Sequence, residues 1–196
     1  FGDRDNYYGN HGRQIVPWGP IDQVESEWMI GIGAPYRPLA NRPDVLSFQT
    51  DPLEEDMEIT GQVRIKLWVS SSATDTDFTA KLVDVYPAND DYPNGYAMNL
   101  SDTVLRMRYR NSWTRPEMME AGEIYPIGIV LPCTSNLFQK HHRIRVDISS
   151  SNFPRLDVNP NTGEPVGRHT QMVSADNTVY LDAERPSHIV IPHIAL

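Results

Sequence analysis

Residues 70–77 read Ser70, Ser71, Ser72, Ala73, Thr74, Asp75, Thr76 and Asp77, a run of hydroxyls closed by two carboxylates. Ca²⁺ takes roughly six to eight oxygen ligands, so this run is a candidate cation site. It lacks the glycine and the distal Glu of a dedicated Ca²⁺ loop. The favoured reading is that Asp and Thr side chains cap a turn through their own backbone. The same two readings compete at Asn152 to Gly163, where Asp157, Asn159 and Asn161 are the candidate ligands, and turn chemistry is again preferred. No cofactor is assigned, and Ca²⁺ stays the weaker alternative.

The other reactive side chains form no recognisable constellation. His141 and His142 are adjacent and point to opposite faces of any strand, which is poor geometry for one zinc ion, while His11, His169, His188 and His193 are scattered. Cys133 has no second cysteine to pair with and ends the apolar run Ile127 to Leu131, so a buried, inert thiol is expected. A nucleophile elbow needs G-x-S-x-G, and Ser101, Ser112, Ser135 and Ser174 lack that glycine frame. Asn99-Leu100-Ser101 spells a glycosylation sequon, a match short enough to arise by chance.

Short strands separated by turn signals must position these residues. Ile144, Val146 and Ile148 alternate with Arg143, Arg145 and Asp147, a period of two that buries one face. Val63, Ile65, Leu67 and Val69 give a second inward face, which turns Trp68 outward, against either the N-terminal arm or a docked domain. The pattern predicts nine strands: 45–50, 57–70, 78–86, 97–100, 103–110, 124–131, 143–150, 177–182 and 188–192. Nine strands without helical periodicity imply a two-sheet sandwich. Asn94-Gly95 predicts a tight hairpin, and residues 115–122 a short helical turn closed by Gly122. Residues 1–43 are rich in Gly, Pro and aromatics and predict an irregular arm, with the sandwich over 44–196.

Asp44 to Pro87, together with the strand and loop from His142 to Gly163, resemble the C-terminal domain of the X-prolyl dipeptidyl-peptidase and cocaine esterase family of serine hydrolases. The resemblance rests on Asp44-Val45-Leu46 leading to Pro52-Leu53, Thr60-Gly61, Asp75-Thr76-Asp77-Phe78, Leu82-Val83-Asp84-Val85 and Ser149 through Pro154. Gly19-Pro20-Ile21-Asp22-Gln23 resembles the family's connector, although Val24 to Arg42 makes it longer. The resemblance implies an all-β, galactose-binding-like jelly roll that follows an α/β-hydrolase domain lying outside this chain. Val16-Pro17-Trp18-Gly19-Pro20 is similar to the context of the family's catalytic histidine, but no histidine follows the tryptophan. No catalytic residue is therefore assigned. The residues expected to face the catalytic domain or shape its pocket are Trp68, Asp75, Asp77, Phe78, Asn152, Phe153, Pro154 and Arg155.

The 196 residues suit one domain. A net charge of -9, from 17 basic and 26 acidic residues, argues against nucleic-acid binding, which needs clustered Lys and Arg. Arg106, Arg108 and Arg110 alternate, but Asp102 and Glu117 nearby predict a salt-bridged face. No apolar stretch approaches the roughly 20 residues that span a bilayer, and FGDRDNYYGNHGR has no signal-peptide core. A soluble chain is expected, with cytoplasmic and exported parents both open. Three functions follow: an accessory sandwich acting on acyl or peptide substrates through its catalytic domain, a carbohydrate-binding module using Tyr7, Tyr8, Trp18 and Trp28, or a homo-oligomerisation surface.

Overall fold

The computed structural model describes residues 22–26, 33–153, 155–165 and 167–194. Pro154, Tyr7, Tyr8, Trp18, Trp28 and the segment Val16–Pro20 lie outside them. In chain order the strands are β1 (Val45–Gln49), β2 (Met57–Gly61), β3 (Arg64–Ser71), β4 (Asp77–Tyr86), β5 (Tyr96–Arg106), β6 (Tyr125–Val130), β7 (Thr134–Phe138), β8 (Arg143–Ser149), β9 (Asn177–Tyr180), β10 (His188–Val190) and β11 (His193–Ile194). One layer is the antiparallel sheet β1-β8-β4-β5. The other is built from β10-β3-β6, with β9 also on β3, and the smaller sheet β11-β2-β7. This is the β-sandwich expected from the alternation.

The core lies between the layers. Phe78, Ala80 and Leu82 of β4 and Ile144, Val146 and Ile148 of β8 meet Ile65, Leu67 and Val69 of β3 and Ile127 and Ile129 of β6. Each large apolar side chain fully buried this way contributes about 1.5–3 kcal/mol. Along one edge the layers part around a cleft of about 280 Å³ lined by Phe48, Leu67, Val146, Leu181 and Ile189. That opening leaves Phe48 of β1 exposed.

Several elements differ from the sequence pattern. The predicted strand 57–70 is two strands, because Gly61 takes φ 132 and the chain bends before Arg64. Its neighbours bend at the same level: Leu131, Pro132 and Cys133 separate β6 from β7, and Ile191 and Pro192 separate β10 from β11. Strands 97–100 and 103–110 are instead one strand ending at Arg106, followed by a 3₁₀ turn over Met107–Tyr109. Strand β7 was not predicted. Residues 115–122 form no helix, since Glu117 N–H donates to Arg108 O and Met119 N–H to Thr74 O. Gly122 does take a left-handed φ of 82.

The β4–β5 connection is a longer loop in which Gly95 alone of the Asn94-Gly95 pair has positive φ, and Gly95 N–H donates to Tyr92 O. Cys133 is exposed, because the thiol falls beyond the last inward residue, Leu131, at the bend. Within the arm, Gln23 N–H donates to Ala97 O at 2.9 Å, and Asp22 Oδ1 accepts from Ala97 N–H. No helix among the described residues is long and apolar enough to cross a membrane.

Candidate functional site

Strands β3, β4, β5, β6, β8 and β9 all start or stop at one end of the sandwich, and the loops 71–77, 107–125 and 150–177 gather there. Asp77 opens β4 directly opposite Arg106, the last residue of β5. Arg106 Nε and Nη2 donate to the two Asp77 oxygens at 2.9 and 2.8 Å. This pairing raises the guanidinium pKa against the opposing effect of burial. The 3₁₀ turn then swings Arg108 inward, where its backbone N–H and Nε donate to Asp75 at 2.9 and 2.7 Å.

Asn159 joins the two pairs. Its Nδ2 lies 2.9 Å from Asp75 Oδ2 and 2.7 Å from Asp77 Oδ1, and two carboxylates facing that amide fix its orientation. Its Oδ1 accepts from Asn161 N–H, and Asn161 adopts the left-handed φ of 63 that its loop composition favours. All four carboxylate oxygens of Asp75 and Asp77 thus receive N–H donors. The run 70–77 is a clamped turn whose carboxylates face cationic and amide donors. No group of three His, Cys, Asp or Glu that could hold a metal occurs among the described residues.

A second clasp fixes the loop after β8. Asp102 of β5 accepts from Asn152 Nδ2 and Asn99 Nδ2 at 3.3 Å each and pairs with Arg155. Asn99, the sequon residue, is buried. Asp102 also lies opposite Lys81 of β4, which lies opposite Asp147 of β8. Burial lowers the pKa of the Lys81 amine, with Asp102 and Asp147 opposing that shift, and Lys81 Nζ donates to Gln23 Oε1 at 3.1 Å. The arm is pinned to a charged row across the outer face of the sheet. Buried ion pairs like these contribute geometry more reliably than net stability.

Seven of the eight residues expected to face a partner are described, and they differ in burial. Asp75, Asp77 and Phe78 are buried, so they shape the loop end from within. Trp68 is half-buried with Pro126 and Tyr180 opposite it on neighbouring strands, and its backbone N–H donates to Ser187 Oγ. Asn152 and Arg155 hold their loop on Asp102, and Phe153 between them is 54% exposed. Sequence reasoning missed Arg106, Arg108 and Asn159 as partners of Asp75 and Asp77. The available signal was a matched pair of patterns, Asp-x-Asp and Arg-x-Arg: antiparallel pairing sets Asp77 opposite Arg106, and the 3₁₀ turn after β5 brings Arg108 to Asp75.

At the opposite end His142 Nδ1 lies 2.8 Å from Asp84 Oδ1, and Asn136 Nδ2 donates to Asp84 Oδ2 at 3.2 Å. Burial raises the Asp84 pKa, and the hydrogen bonds from His142 and Asn136 oppose it. The Tyr86 ring packs on His142 with centroids 4.2 Å apart and planes tilted by 45°. This arrangement ties the β7–β8 turn to β4.

Residues 7–190 match the family described as the X-Pro dipeptidyl-peptidase C-terminal non-catalytic domain. The chain is 48% identical over 163 residues to the cocaine esterase of Rhodococcus sp. (strain MB1 Bresler), a match covering 82% of this chain and 27% of that protein. An α-amino acid ester hydrolase structure superposes with a TM-score of 0.74 at 35% identity, covering 80% of this chain and 26% of that one. An aminopeptidase from a marine sediment Thaumarchaeota archaeon superposes with a TM-score of 0.78 at 31% identity, covering 96% of this chain and 30% of that one. The chain thus spans no more than 30% of the length of any of these three. It belongs to the X-Pro dipeptidyl-peptidase C-terminal non-catalytic domain family.

Proposed function

We propose that the loop end of this sandwich packs on an α/β-hydrolase domain of the same protein and walls part of its substrate pocket. The observation that carries this is the paired clamp: Asp75–Arg108 and Asp77–Arg106, joined by Asn159, hold the loops rigid while Phe153 is left facing solvent. A preorganised loop loses little entropy on docking. Asp75, Asp77 and Phe78 act from within, Asn152 and Arg155 set the Phe153 loop, Pro154 continues it, and Trp68 flanks the neighbouring sheet. The division into an arm, 1–43, and a sandwich, 44–196, belongs to the same proposal. It is supported by the hydrogen bonds that lay Asp22 and Gln23 along the edge of β5.

For the parent we propose ester cleavage through an acyl-serine intermediate, with the serine, histidine and oxyanion donors supplied by the catalytic domain. The 48% identity to an esterase supports an ester over a peptide bond. Hydrolysis of a p-nitrophenyl ester and of an X-Pro-p-nitroanilide by the full-length protein tests the chemistry, with faster ester turnover expected. Phe153→Ala and Arg155→Ala in that protein are expected to lower activity or melting temperature; unchanged kinetics and melting in both would refute the docking role.

A further inference from the structure

Trp113 is 86% exposed, the largest exposure among the described large apolar residues. Its loop is nonetheless fixed from both sides. Arg110 Nη1 donates to Met107 O at 3.0 Å and Nη2 to Glu117 Oε1 at 2.8 Å, and Asn111 Nδ2 donates to Glu117 Oε2 at 3.0 Å. Ser112 Oγ accepts from the N–H groups of Thr114 and Arg115, and the Arg110 guanidinium lies 4.5 Å over the Tyr125 ring. The loop is a rigid pedestal presenting an indole to solvent.

Other exposed apolar side chains share this end of the sandwich. Met118, on the same loop, packs against Gly163, whose loop carries Asn161; Asn161 Nδ2 donates to Val173 O. Met118, Met172 and Val173 are all exposed. Apolar side chains exposed on loops at one end of a domain are where an interaction site forms, and tryptophan is enriched among the few residues that dominate binding energy.

We propose that Trp113 is the anchor by which this domain seats on the catalytic domain of its own polypeptide, inserting into an apolar pocket there, with Met118, Met172 and Val173 of the same loop end joining the contact. The occupant follows from length, because at least 70% of each of the three relatives lies outside the matched region, which spans 27%, 26% and 30% of them. The proposal rests on the docking reading above.

Hydroxyl-radical footprinting of the full-length protein tests it, since Trp, Met, Phe and Tyr oxidise readily. Trp113, Met118 and Met172 are expected to be shielded while Tyr92, at the opposite end, is oxidised. Shielded Phe153 with oxidised Trp113 overturns the anchor and leaves the docking reading standing. Oxidation of both overturns both. Trp113→Ala, which removes a side chain with few contacts inside this domain, is expected to raise oxidation at Met172 about 10-fold or more, as truncation of a binding hot spot implies. An unchanged Met172 rate in that variant overturns the anchor.

Discussion

Asn159 and Asp77 are 82 residues apart in sequence, yet the amide nitrogen of one lies 2.7 Å from a carboxylate oxygen of the other. Through this contact a loop following β8 fixes the start of β4. Asn159→Ala strips one donor from each of two buried carboxylates and is expected to cost about 1–3 kcal/mol. Asn159→Asp sets a third carboxylate against the other two and is expected to cost more at neutral pH. Urea denaturation of both variants checks the order; a smaller loss in the nearly isosteric Asn159→Asp than in Asn159→Ala would show that the amide only fills space.

Asp84 gives a pH signature. Its pKa is raised in the folded chain, so the folded state holds the proton to higher pH than the unfolded chain does. Stability from this group is therefore greatest at low pH and falls as pH rises from about 3.8 through the raised folded value. Wild type is expected to lose stability relative to Asp84→Asn across that window and then level off. A relative gain with rising pH would mean that His142 holds Asp84 charged and the shift has the opposite sign.

Two glycines separate backbone strain from steric contact. Gly95 and Gly122 both have positive φ, 76 and 82, but a Cβ on Gly95 would lie 2.8 Å from Tyr86 O, while one on Gly122 meets open space. Gly122→Ala is expected to cost about 1–2 kcal/mol from the left-handed conformation alone. Gly95→Ala is expected to cost more, and thermal melts of the pair measure the difference.

Cys133 is expected to react with a thiol reagent in the native protein, at one thiol per chain. A thiol that reacts only in denaturant would place it in the core.

What was legible in the sequence was what neighbours in the chain determine. Ile144, Val146 and Ile148 announce β8 by period alone, and all three are buried. Strand β7 escaped because Phe138 is its only fully buried residue, and Asn136, mid-strand, turns to the remote Asp84. The three arginines read as one strand face because their spacing is two. The 3₁₀ turn at Met107 instead sends Arg108 to Asp75 and Arg110 to Glu117. Arg155 pairs with Asp102, 53 residues away, and only the fold brings such partners together. The jelly roll was readable from pattern and resemblance; the full clamp at its loop end was not, since it depends on a 3₁₀ turn and on Asn159, more than 80 residues from the carboxylates it joins.

The bend shared by Gly61, Pro132 and Pro192 divides the second layer into two short ladders. Thr60 N–H donates across it to Pro192 O, and Leu131 N–H to Val63 O. A ladder of two to five residues per strand, as in β11-β2-β7, is expected to open at lower free energy than one running the full layer. The amides of Ile59 and Asn136 are therefore expected to trade their hydrogens for deuterium ahead of those of Leu67 and Ile127, which would make the smaller ladder the place where this domain first unravels.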